Sequence, residues 1–195
     1  MRAAAGTAFA VGLGLALSGP VAASGDDAQS QWWQALQALC GKAYAGELVR
    51  APEGDDTFRD RSVVMHVRDC SDRRVRIPLV IDDDRSRTWV LTRTGAGIEL
   101  RHDHRLEDGS SDEVTLYGGV TSNGGSADAQ MFPADDLTRE AIPGSGLRSA
   151  WLMEIHPGGR FVYAASRVGT ERGFQVDFDL ASPVPAPAAP WGWED

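Results

Sequence analysis

The sequence predicts a mainly β protein: an antiparallel up-and-down barrel or half-barrel preceded by one N-terminal amphipathic helix. Three observations carry this expectation. Beyond Gly46, apolar residues recur with a period of two in short runs. Short Gly-, Asp- and Ser-rich connectors separate the runs, which favours hairpins between sequence neighbours. The long helical segments that parallel strands need between them are missing. Short sequential connections favour a barrel over a sandwich.

Taken in order, residues 1–23 read as a cleavable secretory signal. Met1 and Arg2 open an apolar run over 3–17, Ser18-Gly19-Pro20 breaks it, and Val21-Ala22-Ala23 supplies a small-x-small cleavage pattern. The run is too short and too Gly-rich to make a comfortable transmembrane span. Residues 24–30 form a short linker. Ser30 is placed to N-cap a helix whose apolar positions are Trp32, Trp33, Leu36, Leu39, Cys40 and Ala43, with Gly41 and Gly46 as stop signals.

A single β domain extends over 31–180. Its strand runs are 62–70, 74–81, 87–94, 97–105, 113–119, 150–156, 161–166 and 173–180. One excursion, 121–149, begins Gly/Ser/Asn-rich, includes a short helix over 135–142 and ends in "PGSG". Residues 181–195 are Pro/Ala-rich and read as an extended, mobile tail. Trp191 and Trp193 in that tail need a surface to cover them, the barrel's own or a partner's.

Charge and cysteine usage restrict the partners. The net charge is −9, from 28 acidic and 19 basic residues, and loss of the signal removes Arg2 but no acid. Neither nucleic acid nor anionic lipid is an expected partner of such a chain. Two cysteines in an exported chain predict one disulfide, Cys40–Cys70, because neither C-x-x-C nor a metal-thiolate spacing is present. Location in the periplasm or outside the cell follows from that reading.

The segment "LRHDHRLEDG", residues 100–109, contains two of the four histidines. On a strand, His102 and His104 share the face of Ile98 and Leu100, while Arg101, Asp103 and Arg105 take the other. Two imidazoles spaced this way can meet one metal ion, with His66 the nearest third ligand in kind, but H-x-H alone is a weak motif. A better use is to orient a small molecule at the end of an apolar interior. The competing structural reading is stronger: the strand leaves the core at His102 and both rings are solvated at the rim.

No other segment carries a reaction. Ser145 in "PGSGL" lacks the context of a nucleophile elbow. Asp82, Asp84, Ser86 and Thr88 alternate as in a calcium loop, but Arg87 and Arg93 stand at its glycine and glutamate places. The glycine-rich 117–128 segment has no lysine or helix start to complete a phosphate cradle.

The segments "WWQALQALCGKAYAG", "VVMHVRDC", "DRSRTWVLTRT", "LRHDHRLEDGSSDEVTLYGG" and "FQVDFDL" resemble a group of small secreted proteins of Gram-negative bacteria whose function is not established. The resemblance covers roughly residues 31–180, and its most specific parts are Ser86 to Trp89 and His102 to Arg105. It implies export and a compact β-rich domain, but no reaction. The plan of a helix followed by a strand meander is also similar to calycin-type barrels, which bind small apolar molecules. The glycine–Trp signature of lipocalins is missing.

The expected function is therefore binding of a small apolar or amphipathic molecule, or of a cell-envelope component, by His66, Arg87, Trp89, His102 and His104. No catalytic residue and no cofactor is assigned. Two alternatives belong to other classes: a His-dependent hydrolytic enzyme, metal-assisted or not, and a structural or interaction protein of the envelope.

Overall fold

A computed structural model describes Met1, residues 25–144 and residues 146–194. Residues 2–23 of the predicted signal and Ser145 lie outside the described residues. The elements are α1 (Gly25–Gln37), β1 (Ala43–Arg50), β2 (Val63–His66), β3 (Asp69–Cys70), β4 (Arg74–Ile81), β5 (Asp84–Thr94), β6 (Gly97–His104), β7 (Tyr117–Val120), β8 (Ala129–Pro133), α2 (Asp136–Ala141), β9 (Ser149–His156), β10 (Arg160–Arg167) and β11 (Gly173–Val184). The strands make one antiparallel sheet in the order β7-β6-β5-β4-β2-β1-β11-β10-β9-β8, with β3 also on β4. This is a nearly closed barrel with one long helix, the predicted class.

Two glycines of β7 let its backbone pack tightly on both sides, Gly119 across the seam to β8 and Gly118 on β6. A Cβ on Gly119 would lie 1.8 Å from the Pro133 carbonyl oxygen, and one on Gly118 would lie 1.9 Å from that of Leu100. Backbones can approach this closely only without side chains. The Asp135 N–H donates to the Gly118 carbonyl (3.3 Å), and the buried Thr138 hydroxyl accepts from the Gly118 N–H (2.6 Å). Asp135 N-caps α2 through Thr138 N, so this short helix locks the seam from outside.

Helix α1 closes one end of the barrel. Trp32, Trp33 and Leu36 are fully buried, each worth roughly 1.5–3 kcal/mol of burial. Gln29 Nε2 donates to Thr121 Oγ1, Arg93 Nη2 to Ser30 Oγ and Gln37 Nε2 to the Ser71 carbonyl. A Cys40–Cys70 disulfide ties the segment after the helix to β3. Closing a loop of about 30 residues stabilises by roughly 3–4 kcal/mol in the chain-entropy model.

Several sequence expectations need correction. Ser30 is inside α1, not its cap. The helix starts at Gly25, so the linker at 24–30 is largely helical. It ends at Gln37, and Gly41 in the left-handed region (φ 78°) turns the chain into β1. Ala43 is thus a strand residue.

The single strand expected over 62–70 is split into β2 and β3. The break faces Pro78, which has no N–H to offer a ladder partner. Only the end of the 113–119 run is strand, because Leu116 takes a left-handed conformation (φ 56°). Strand β8 was hidden in the 121–149 excursion.

The tail is not a mobile appendage. Residues 181–184 extend β11 and pair with β1 through Ala43↔Val184 and Tyr44↔Pro183. Beyond them Ala189 and Pro190 are buried. Arg85 Nη1 donates to the Ala189 carbonyl (3.0 Å), and the Trp191 N–H donates to the Arg85 carbonyl (3.2 Å). Trp193 lies 4.1 Å from the Arg76 guanidinium, a cation–π contact that gives this ring its cover.

Candidate functional site

The end of the barrel opposite α1 is where the inward face changes character. On β6, Ile98 and Leu100 are buried in the core, and His102 and His104 continue their face. Register places His102 opposite Trp89 on β5 and Tyr117 on β7, and His104 opposite Arg87. His102 is only 3% exposed, so the expectation that the strand leaves the core at this residue is wrong for it. His104 is half-buried, one step nearer solvent.

The hydrogen bonds of His102 fix its tautomer. Its Nδ1 is 3.1 Å from the Tyr117 carbonyl, which can only accept, so Nδ1 carries the proton. Nε2 then accepts from the Tyr163 hydroxyl at 2.7 Å. The chain therefore runs from the Tyr163 hydroxyl through His102 to the Tyr117 backbone. The rings pack as well: His102 stacks on Tyr117 at 4.5 Å and lies 5.0 Å from Trp151.

Burial sets the charge state of this group. Desolvation pushes the His102 pKa down to about 3, so its imidazole is neutral at ordinary pH. Desolvation and then the Arg87 charge lower His104. Burial raises the Tyr117 phenol to about 12 and Tyr163 well above the usual range. Tyr117 Oη lies 3.0 Å from His104 Nε2, giving a second His–Tyr pair beside the first. Leu116, held left-handed by a hydrogen bond from its N–H to the His102 carbonyl (2.7 Å), sets the direction in which Tyr117 enters.

These groups border a cavity of about 280 Å³. Its polar side is Arg87, His102, His104 and Tyr117, and its apolar side is Phe58, Trp151 and Phe174. Phe58 comes from the 51–62 loop and packs on Phe174 with centroids 4.9 Å apart, so this loop covers part of the mouth. Arg87 is ion-paired with Asp84 and hydrogen-bonded to Ser86 Oγ at the rim.

Of the five residues singled out from sequence, Arg87, His102 and His104 share this cavity. Trp89 is packed beneath it, 4.2 Å from the Tyr163 ring. His66 is buried on β2, on the face opposite Met65, and does not line the cavity. As a result, the His66–His102–His104 ligand set does not assemble. Among the described residues, no group of three or more His, Cys, Asp or Glu side chains is placed to share an ion. His102 is a poor general base because both ring nitrogens are committed and its basicity is low.

No family model, curated protein or solved structure matches this chain. The site thus stands on its own geometry. Tyr117, Tyr163, Trp151, Phe58 and Phe174 were not singled out beforehand. Strand parity held the signal for Tyr163, which shares the inward face of Phe161 in "FVYAAS". Nothing local marks Phe58, which reaches the mouth from an irregular loop.

Proposed function

We propose that this protein binds a small amphipathic molecule in the open end of its barrel, after export to the periplasm or beyond. The observation that carries the reading is the change at His102. There the packed interior gives way to a cavity with hydrogen-bonding groups on one wall and aromatic rings on the other. A small-molecule site needs a few fixed polar groups to orient a ligand and apolar surface to hold it. Arg87 and the His104–Tyr117 pair supply the first, above the internally bonded His102–Tyr163 pair, and Trp151, Phe58 and Phe174 supply the second.

Calorimetric titration with 2-naphthol, a neutral aromatic alcohol, tests the reading. Saturable one-site binding is expected. His104→Trp, which fills the cavity from its half-exposed side, should abolish binding, whereas Arg93→Ala at the opposite end should leave it unchanged. Equal binding by all three proteins would place the probe elsewhere and overturn the reading. Export has a separate check: protein recovered from the periplasm should begin after Ala23.

A further inference from the structure

The cavity at the barrel mouth has a neighbour. A groove of about 180 Å³ shares Tyr117, Trp151 and Phe174 with it, and Arg167 and Arg172 line the groove's outer part. The two arginines belong to one hairpin, where the Arg167 N–H donates to the Arg172 carbonyl (3.0 Å). Arg148 is held beside them by the bond from Val168 N–H to its own carbonyl (2.8 Å). Arg167 feels the charges of both Arg172 and Arg148.

None of the three arginines makes a salt bridge among the described residues, although eight other arginines of the chain do. The buried Arg167 Nε also has no hydrogen-bond partner among them. In a chain with 28 acidic residues against 19 basic, three arginines gathered without a salt bridge, one of them with an unpartnered buried Nε, leave guanidinium donors available to an anion. Asp55 borders the same groove, but its carboxylate accepts from the Thr57 N–H.

We infer that the ligand of the barrel mouth is an amphipathic anion: its ring or chain lies against Trp151 and Phe174, and its phosphate, sulfate or carboxylate group is received by Arg167 and Arg172, with Arg148 adding charge. This inference rests on the cavity reading above and adds the sign and place of the ligand's charge. Guanidinium groups suit such oxyanions because their planar N–H donors make paired, charge-assisted hydrogen bonds.

The test compares 2-naphthyl phosphate with 2-naphthol by calorimetry at low salt, on wild type, Arg172→Gln and the Arg167→Gln/Arg172→Gln double variant. Wild type should prefer the phosphate by about tenfold or more. Arg172→Gln should lose part of that preference and the double variant nearly all of it, with 2-naphthol affinity unchanged in both. Arg172 is exposed, so its single variant keeps the test valid if the double variant folds poorly.

Equal affinity for the two probes in wild type would overturn the anion inference and leave the cavity reading standing. A phosphate preference that survives both variants would overturn the assignment to these arginines. Binding of the phosphate alone, lost in the variants, would support the arginine groove and overturn the cavity reading. Binding of neither probe would overturn both.

Discussion

The Nε2 atom of His102 accepts a hydrogen bond from the Tyr163 hydroxyl at 2.7 Å inside the barrel, a direction that holds only while the imidazole is neutral. Protonating Nε2 would reverse that bond, make the Tyr163 hydroxyl turn away, and place a charge in a site with 3% exposure. The polar end of the core is thus a cost that falls due in acid.

The direction follows from linkage. The folded-state pKa of His102 is lowered to about 3, while an unfolded histidine titrates near 6.5. Between these values the unfolded chain binds a proton that the folded chain refuses, so stability falls as pH drops below about 6.5. The loss from His102 should reach about 2–3 kcal/mol at pH 4.5. His66 and His104, also lowered, act in the same direction. The depressed carboxylates, such as Asp82 and Asp135, add their losses only below about pH 3.9.

Urea unfolding at about pH 7 and pH 4.5 isolates the histidines. His102→Phe should be less stable at neutral pH by about 1–3 kcal/mol, because the Tyr163 hydroxyl loses its acceptor. It should also lose much less stability on acidification than wild type. An undiminished pH dependence in this variant would mean that the His102 ring is not the group refusing the proton.

What the sequence disclosed about this site was its direction, and what it concealed was its company. Period-two alternation placed His102 and His104 on the face of Leu100, and the register bears this out. Whether that face was still inside at His102 depended on how far Tyr163 and Trp151 reach across the barrel, from strands more than 40 residues away in sequence. The same limit explains β1 and β8. "AYAGELVR" has a Gly where Phe178 packs closest, and "AQMFP" turns Gln130 inward with Phe132, so neither segment shows clean alternation. Turns, α2 and the disulfide pairing are local or compositional and were legible.

The seam makes a sharp prediction about glycine. Gly119→Ala would drive a methyl group into the Pro133 carbonyl, 1.8 Å from the ideal Cβ position, where backbone on both sides must move. Overpacking of this kind costs about 1–3 kcal/mol. In a chain of this size that should lower the melting temperature by roughly 2–4 °C per kcal/mol. Gly95→Ala, whose Cβ would meet nothing within 4 Å, serves as the control and should melt with the wild type. Identical melting of Gly119→Ala would show that β7 and β8 are farther apart than the structure places them.

The tail yields the last prediction, because its contacts are with the chain itself. Trp193 sits over Arg76 at 4.1 Å, Arg68 Nη2 reaches the Glu194 carbonyl, and Gly192 lies against Gly109, a Cβ on one falling 2.6 Å from the Cα of the other. Arg76 alternates with the inward-facing Val75 and Ile77, so the tail lies on the barrel's outer face, away from the cavity. A chain held this way should stabilise the barrel without taking part in ligand binding. Trp193→Ala should cost about 0.5–1 kcal/mol, the range of an exposed cation–π contact. Removing residues 185–195 should cost more, since Ala189 and Pro190 are buried and Arg85 loses its bond to the Ala189 carbonyl. Both proteins should bind 2-naphthol as wild type does. A truncated chain that melts unchanged would show the tail to be free in solution, and its two Trp rings would then be open to a partner instead.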